Sequence, residues 1–192
     1  MKFLNFKKLA FILVMFVLIT NCKKDEEKKG VSEFAGNYTI SSAVMTEALT
    51  VSTVESGDVP IPVGTDITEL IRTALLSAVS CSAPDTSFVE LREDYSLYLS
   101  CEGSNPLNAG TWEEVSSTSL KLNLNHDAIP SSPVGFTLKV TDIVKNASGI
   151  TGVTSVPLPK SMVAEIVSPL TISASAPAIF SVKFSLEFFK IL

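Results

Sequence analysis

The stretch Phe180-Ser181-Val182-Lys183-Phe184-Ser185-Leu186-Glu187-Phe188 alternates apolar and polar side chains without a break. Successive side chains of an extended chain point to opposite faces, so this is the pattern of a strand with one buried and one wet face. The same period recurs upstream. Ser119-Leu120-Lys121-Leu122-Asn123-Leu124 sets three leucines against polar residues, and Phe136, Leu138 and Val140 alternate with Thr137, Lys139 and Thr141. Phe88-Val89-Glu90-Leu91-Arg92 and Tyr95-Ser96-Leu97-Tyr98-Leu99 flank Glu93-Asp94, which suits a hairpin turn. Trp112 to Val115 leads into the 119–124 strand, and Gly36-Asn37-Tyr38-Thr39-Ile40 reads as a strand entry. Many short strands with turn signals between them predict a mainly β fold, an antiparallel barrel or a half-closed sandwich.

Two segments depart from that period. Residues 49–64 begin as a strand, with Leu49, Val51 and Thr53 alternating, and are then broken by Gly57-Asp58 and by Pro60 and Pro62; they read as a hairpin or a long loop. Residues 65–80 carry Ile67, Leu70, Ile71, Ala74, Leu75, Ala78 and Val79 in one stripe at helical spacing. One amphipathic helix is expected there, capped by Thr65 or Asp66, with Glu69 at the positive end of its dipole. Its polar face offers only Arg72 as a cation, so docking on the core is favoured over binding a membrane.

The amino-terminal residues carry a different message. Lys2, Lys7 and Lys8 precede an apolar run over residues 9–19, which at 11 residues falls short of the ~20 needed to cross a bilayer. The run ends in Ile19-Thr20-Asn21-Cys22, followed by the charged KKDEEKK at 23–29. This resembles a lipobox, in a relaxed form with Asn21 where a smaller residue is usual. The resemblance implies a signal peptide over 1–21, cleavage before Cys22 and lipidation of its sulfur, giving a palmitate-labelled lipoprotein held to the membrane through Cys22. An ordinary signal peptide or an uncleaved anchor are the alternatives. Residues 22–30 then read as the lipidated cysteine and a solvated tether, and residues 31–192 as a single domain. Charged segments after a lipidated cysteine resemble export signals, which implies the outer membrane and display at the cell surface.

Loss of Lys2, Lys7 and Lys8 with residues 1–21 leaves 12 basic against 20 acidic side chains. That balance argues against nucleic acid as a partner, because phosphate binding needs a basic footprint. With Cys22 lipidated, Cys81 and Cys101 remain as a pair in an exported, disulfide-permissive compartment. A structural bridge is the favoured reading. Two buried thiols or a redox pair are the alternatives, the latter lacking the usual Cys-x-x-Cys spacing.

From Cys81 onward the chain resembles bacterial lipocalin-like lipoprotein domains. The residues concerned are Cys81-Ser82-Ala83-Pro84-Asp85, Phe88, Glu93-Asp94-Tyr95-Ser96, Cys101, Gly110-Thr111-Trp112 and the 119–124 strand, with Gly36-Asn37-Tyr38 upstream. Tyr38 stands where a tryptophan is usual, and a helix and proline-containing loop are inserted before Cys81. The resemblance implies an up-and-down barrel with a helix over one opening and a disulfide from Cys81 to Cys101. Such a barrel binds a small apolar molecule or is filled by side chains, in which case a protein partner at the surface or in a host is the expectation. A structural part in envelope assembly is the alternative.

Enzymatic chemistry finds little support. His126, the only histidine, is followed by Asp127, but no nucleophile motif accompanies it and a surface loop is its expected place. One histidine and two cysteines expected to be oxidised do not make a metal site, and Gly149-Ile150-Thr151-Gly152 lacks the lysine of a phosphate loop. No cofactor is expected. Trp112, Tyr38, Tyr95 and Tyr98 are read as packing residues in preference to a pocket lining.

Overall fold

The computed structural model describes residues 31–76, 79, 87–125 and 136–191, and Glu33–Leu192 forms one compact unit. Its elements run β1 (Gly36–Met45), β2 (Leu49–Thr53), β3 (Gly57–Ile61), α1 (Thr68–Leu76), β4 (Ser87–Leu91), β5 (Ser96–Cys101), β6 (Leu107–Ser116), β7 (Ser119–Leu124), β8 (Phe136–Asn146), β9 (Gly149–Pro159), α2 (Lys160–Ile166) and β10 (Ile179–Ile191). Eight strands close into an antiparallel barrel in the order β1-β10-β9-β8-β7-β6-β5-β4, while β2 and β3 form a separate hairpin. From β4 to β10 each strand pairs with its sequence neighbour, and β1 closes the ring between β10 and β4. The barrel is therefore closed rather than a half-open sandwich.

Alternation is what closes it. On β10, Phe180, Val182, Phe184, Leu186 and Phe188 are buried, while Ser181, Lys183 and Glu187 are exposed. Opposite them on β9, Leu158, Val156, Thr154, Gly152 and Ile150 occupy the matching inward register. The outer face carries Lys139, Lys121, Asn123, Thr111 and Glu113 as well as the polar residues of β10. This is the reverse of a membrane-spanning barrel, whose outer wall is an apolar band.

The two ends differ. At one end, called the base here, short turns at residues 92–95, 117–118 and 147–148 join neighbouring strands. The other end, the mouth, carries the long connections: β2, β3 and α1 between β1 and β4, and α2 between β9 and β10. The base is plugged by Phe34, Tyr38 and Trp112, all buried. Tyr38 Oη donates to the Phe34 carbonyl at 3.0 Å and its ring meets Phe188 edge-on. Trp112 Nε1 donates to the Arg92 carbonyl at 2.9 Å, so the indole is packed without stranding its N–H.

The described helix runs Thr68–Leu76 and begins three residues later than its periodicity over 65–80 predicts; residues 77, 78 and 80 lie outside the described residues. Asp66 is the cap: its carboxylate accepts the Thr68 N–H at 2.8 Å, whereas Thr65 turns its hydroxyl to the Pro62 carbonyl. Val79 is buried without being helical, because an apolar period reports burial before it reports conformation. A second helix, α2, was not expected. Only Val163 of its seven residues is fully buried, too little to make a stripe.

α1 has a definite task. β1 pairs with β4 only through Gly36, Asn37 and Tyr38. Beyond them, the edge of β1 that faces away from β10 is bonded by the segment leading into α1. Met45 N–H donates to Thr65, Ile67 N–H to the Ala43 carbonyl, and Ala43 N–H to Thr68 Oγ1. Arg72 Nη2 continues the seam with a 2.6 Å bond to the Ile40 carbonyl. The helix thus seals a splayed joint in the wall, with Ile67, Ile71 and Leu75 turned into the core. Residues 49–64 resolve as the hairpin, whose β2 is joined to the β9–β10 connection through Thr53 and Ile172.

Candidate binding surfaces

An eight-stranded barrel suggests its own interior as the first candidate site. Its inward residues are apolar almost throughout, and the largest of them, Trp112, Tyr38, Phe34, Phe184, Met45, Leu97, Leu99 and Leu120, are all no more than 2 % exposed. Besides Ser87 on β4, Thr154 is an exception in kind. It sits between Val140 and Phe184 in the register, is 2 % exposed, and its hydroxyl makes no hydrogen bond among the described residues. A void large enough for a ligand would leave the side chains around it uncovered, and these side chains are buried.

A second candidate is an open groove of about 460 Å³ between the start of α1 and the end of α2. Asp66, Thr68, Glu69, Leu70, Glu165 and Ile166 line it. Hydrogen bonds from Thr68 hold the Asp66 carboxyl below its ordinary value, and Glu69 pairs with Arg72 at 2.5 Å. The groove's polar groups are therefore partly engaged in capping and pairing within α1. This groove was not legible in the sequence because one of its walls, α2, was not.

The aromatic residues do not converge on a pocket. Tyr38 and Trp112 are core; Tyr95 packs at a 43° tilt against Trp112, 4.9 Å between ring centres; and Tyr98 lies outside under the Arg92 guanidinium at 3.6 Å. Burial raises the Tyr38 phenol above its ordinary value. The cation over Tyr98 is held in turn by Glu90, at 2.8 Å. Among the described residues, no three His, Cys, Asp or Glu side chains are grouped as a metal site would require.

Cys101 is buried at the mouth end of β5 and is disulfide-bonded. Cys81, Cys22 with the whole of 1–30, and His126 with its following Ile129-Pro130 lie outside the described residues. No described helix is long and apolar enough to cross a membrane.

The entry of the chain into the barrel is built by residues far apart in sequence. Lys145, near the base end of β8, pairs with Glu33 at 2.8 Å and lies 4.0 Å from the centre of the Phe34 ring. That hydrogen bond and the lysine charge hold the Glu33 carboxyl below its ordinary value. With Tyr38 bonded to the Phe34 carbonyl, residues 33–34 are fixed to the base from two sides.

Comparison of the chain with family models, with curated proteins and with solved structures gives no match. The lipocalin-like resemblance rests on the short motifs quoted above.

Proposed function

We propose that this chain is a non-enzymatic, lipid-anchored protein of the outer membrane, lipidated at Cys22 and carrying a lipocalin-like barrel that binds a protein partner through its outer surface. The reading is carried by the filled interior. Pockets for small ligands run to roughly 300–1,000 Å³ and are bounded by uncovered side chains, whereas the inward residues described in this barrel are buried from Phe34 at the base to Phe180 near the mouth. A disulfide between Cys81 and Cys101 belongs to the same reading; it would tie the segment after α1 to the mouth end of β5.

Native mass spectrometry of residues 31–192, expressed in the source cell's envelope and released from it, tests the filled interior. The expected result is the bare polypeptide mass. A reproducible added mass of drug-like size would refute it and make the barrel a carrier. For the anchor, Cys22→Ser should abolish labelling with palmitate; a variant that still labels refutes the lipobox.

A further inference from the structure

We infer that the base of the barrel is a membrane-docking face, and that the bilayer holding the Cys22 lipid also covers the exposed apolar side chains Val115, Val144, Phe189 and Ile191. The inference rests on the proposed lipidation of Cys22 and adds an orientation and a contact to it.

Three observations carry it. The first is where the anchored chain joins the barrel. Glu33 and Phe34 are fixed to the base through Lys145 and Tyr38, so the connection to Cys22 leaves from the base and not from the mouth.

The second is reach. Cys22 and Glu33 are 11 residues apart. Whatever its conformation, a chain of that length spans at most about 40 Å, and an unconstrained one averages about 17–20 Å. The longer strands of the wall have 10–13 residues. At ~3.3 Å per residue and a tilt of ~35–45°, they give a wall of roughly 25–35 Å. Bringing the mouth to the bilayer would stretch the connection along the whole wall at close to full extension. Bringing the base there asks nothing of it.

The third is the surface itself. Val115 on β6, Val144 on β8, and Phe189 and Ile191 on β10 are 39–65 % exposed, and each lies within two residues of the base end of its strand. They are spread over alternate strands, so a flat apolar boundary meets several together. Val54, Val63 and Ile179, at the opposite end, come to the bilayer only with the connection close to full extension. The base also carries Glu93, Asp94, Glu113 and Glu114 against Arg92, Lys145 and Lys190. Contact is therefore apolar and suited to zwitterionic lipid, not an electrostatic attraction to anionic headgroups.

The test uses the full-length lipidated protein in phosphatidylcholine vesicles containing a small fraction of headgroup-labelled acceptor lipid. A donor dye is placed on Ala147→Cys, in the exposed β8–β9 turn of the base, or on Ser56→Cys, at the exposed tip of the β2–β3 hairpin. From a wall of this height, energy transfer from Ala147→Cys should exceed that from Ser56→Cys by roughly threefold or more. Adding Phe189→Asp and Ile191→Asp should reduce the excess, and Val144→Asp, on a different strand, should do the same if the first pair compromises folding. Equal transfer from the two positions while the protein floats with the vesicles overturns the docking alone. Transfer unmoved by both sets of aspartates shows that the tether sets the orientation, and overturns the apolar contact. A chain that neither takes up palmitate nor floats overturns the anchor, and the docking with it.

Discussion

Gly110→Ala should be among the most damaging single-methyl additions in the molecule. Gly110 lies at the register shift between β5 and β6, with φ of 137°. A Cβ built there falls 2.0 Å from the Asn123 carbonyl oxygen and 3.1 Å from its carbon, both in the backbone of β7. No rotamer can relieve a backbone clash, so β6 and β7 would have to part by more than 1 Å. The displacement acts on a strand pair that also carries Trp112 against Leu122. Overpacking of this kind costs about 1–3 kcal/mol, and a non-glycine residue forced into that backbone region adds about 1–3 kcal/mol. For a domain of this size each kcal/mol is ~2–4 °C, so a fall in Tm of roughly 4–24 °C follows. Gly103→Ala is the internal control. Its φ is 78°, but no atom lies within 4 Å of the added Cβ, so it pays the backbone term without the clash. The unfolded-state benefit of replacing glycine, about 0.4–1 kcal/mol, is common to both and cancels in the comparison. Thermal melts followed by circular dichroism, with Trp112 fluorescence as the local readout, decide the matter. Equal shifts for the two variants would refute the close approach of β6 to β7.

Thr154→Val replaces an unpartnered buried hydroxyl with a methyl of the same shape; since an unsatisfied buried polar group costs about 1–3 kcal/mol, Tm should rise, and a lower Tm would mean that the hydroxyl has found a partner. Cys101→Ser should lower stability by roughly 3 kcal/mol if its bridge closes the 20-residue loop to Cys81, checked by comparing melts with those of reduced wild type, which should match. Acid should destabilise the fold in a defined direction. Glu33, Glu55, Asp66 and Asp94 are held below their ordinary values by hydrogen bonds involving Lys145, Thr171, Thr68 and Ser96 respectively. Their contribution is complete above the unfolded carboxylate values near ~4 and is lost as pH falls through the lower folded ones. A Tm that stays flat from pH 6 to about 2.5 would contradict this. In alkali the sign reverses: the raised phenol of Tyr38 makes stability fall as pH climbs above ~10.

Local alternation made β4, β5, β7, β8 and β10 legible, because a half-buried strand writes its two faces into the sequence residue by residue. β9 was hidden by its own composition. Gly149, Gly152, Pro157 and Pro159 look like breakers. Yet the prolines fall past Thr154, where among the described residues β9 pairs with β10 and no longer with β8, so a missing N–H on the far edge costs no ladder bond. Pro60 is tolerated on β3 for a similar reason, since β3 pairs with β2 alone. The clamp of Lys145 on Glu33 and Phe34 joins residues 112 positions apart and leaves no local pattern at all. The same holds for the groove between α1 and α2, and for the seam that Arg72 closes on Ile40. These features are made by the closing of the ring, and no short window of sequence contains both of their sides.

That closing has a consequence for biogenesis. β10 is the last of the described strands in chain order, and it must slot between β9, just before it, and β1, at the start of the domain, with Asn37 opposite Ile191. Until its thirteen residues are available, β1 and β9 both present open edges, and five inward side chains of the final strand are missing from the core. Such a long-range pairing comes late and slowly. A ribosome or an export channel feeding the chain amino terminus first therefore holds an unclosed barrel until β10 has passed, which keeps it threadable but leaves its sticky edges to a chaperone until then.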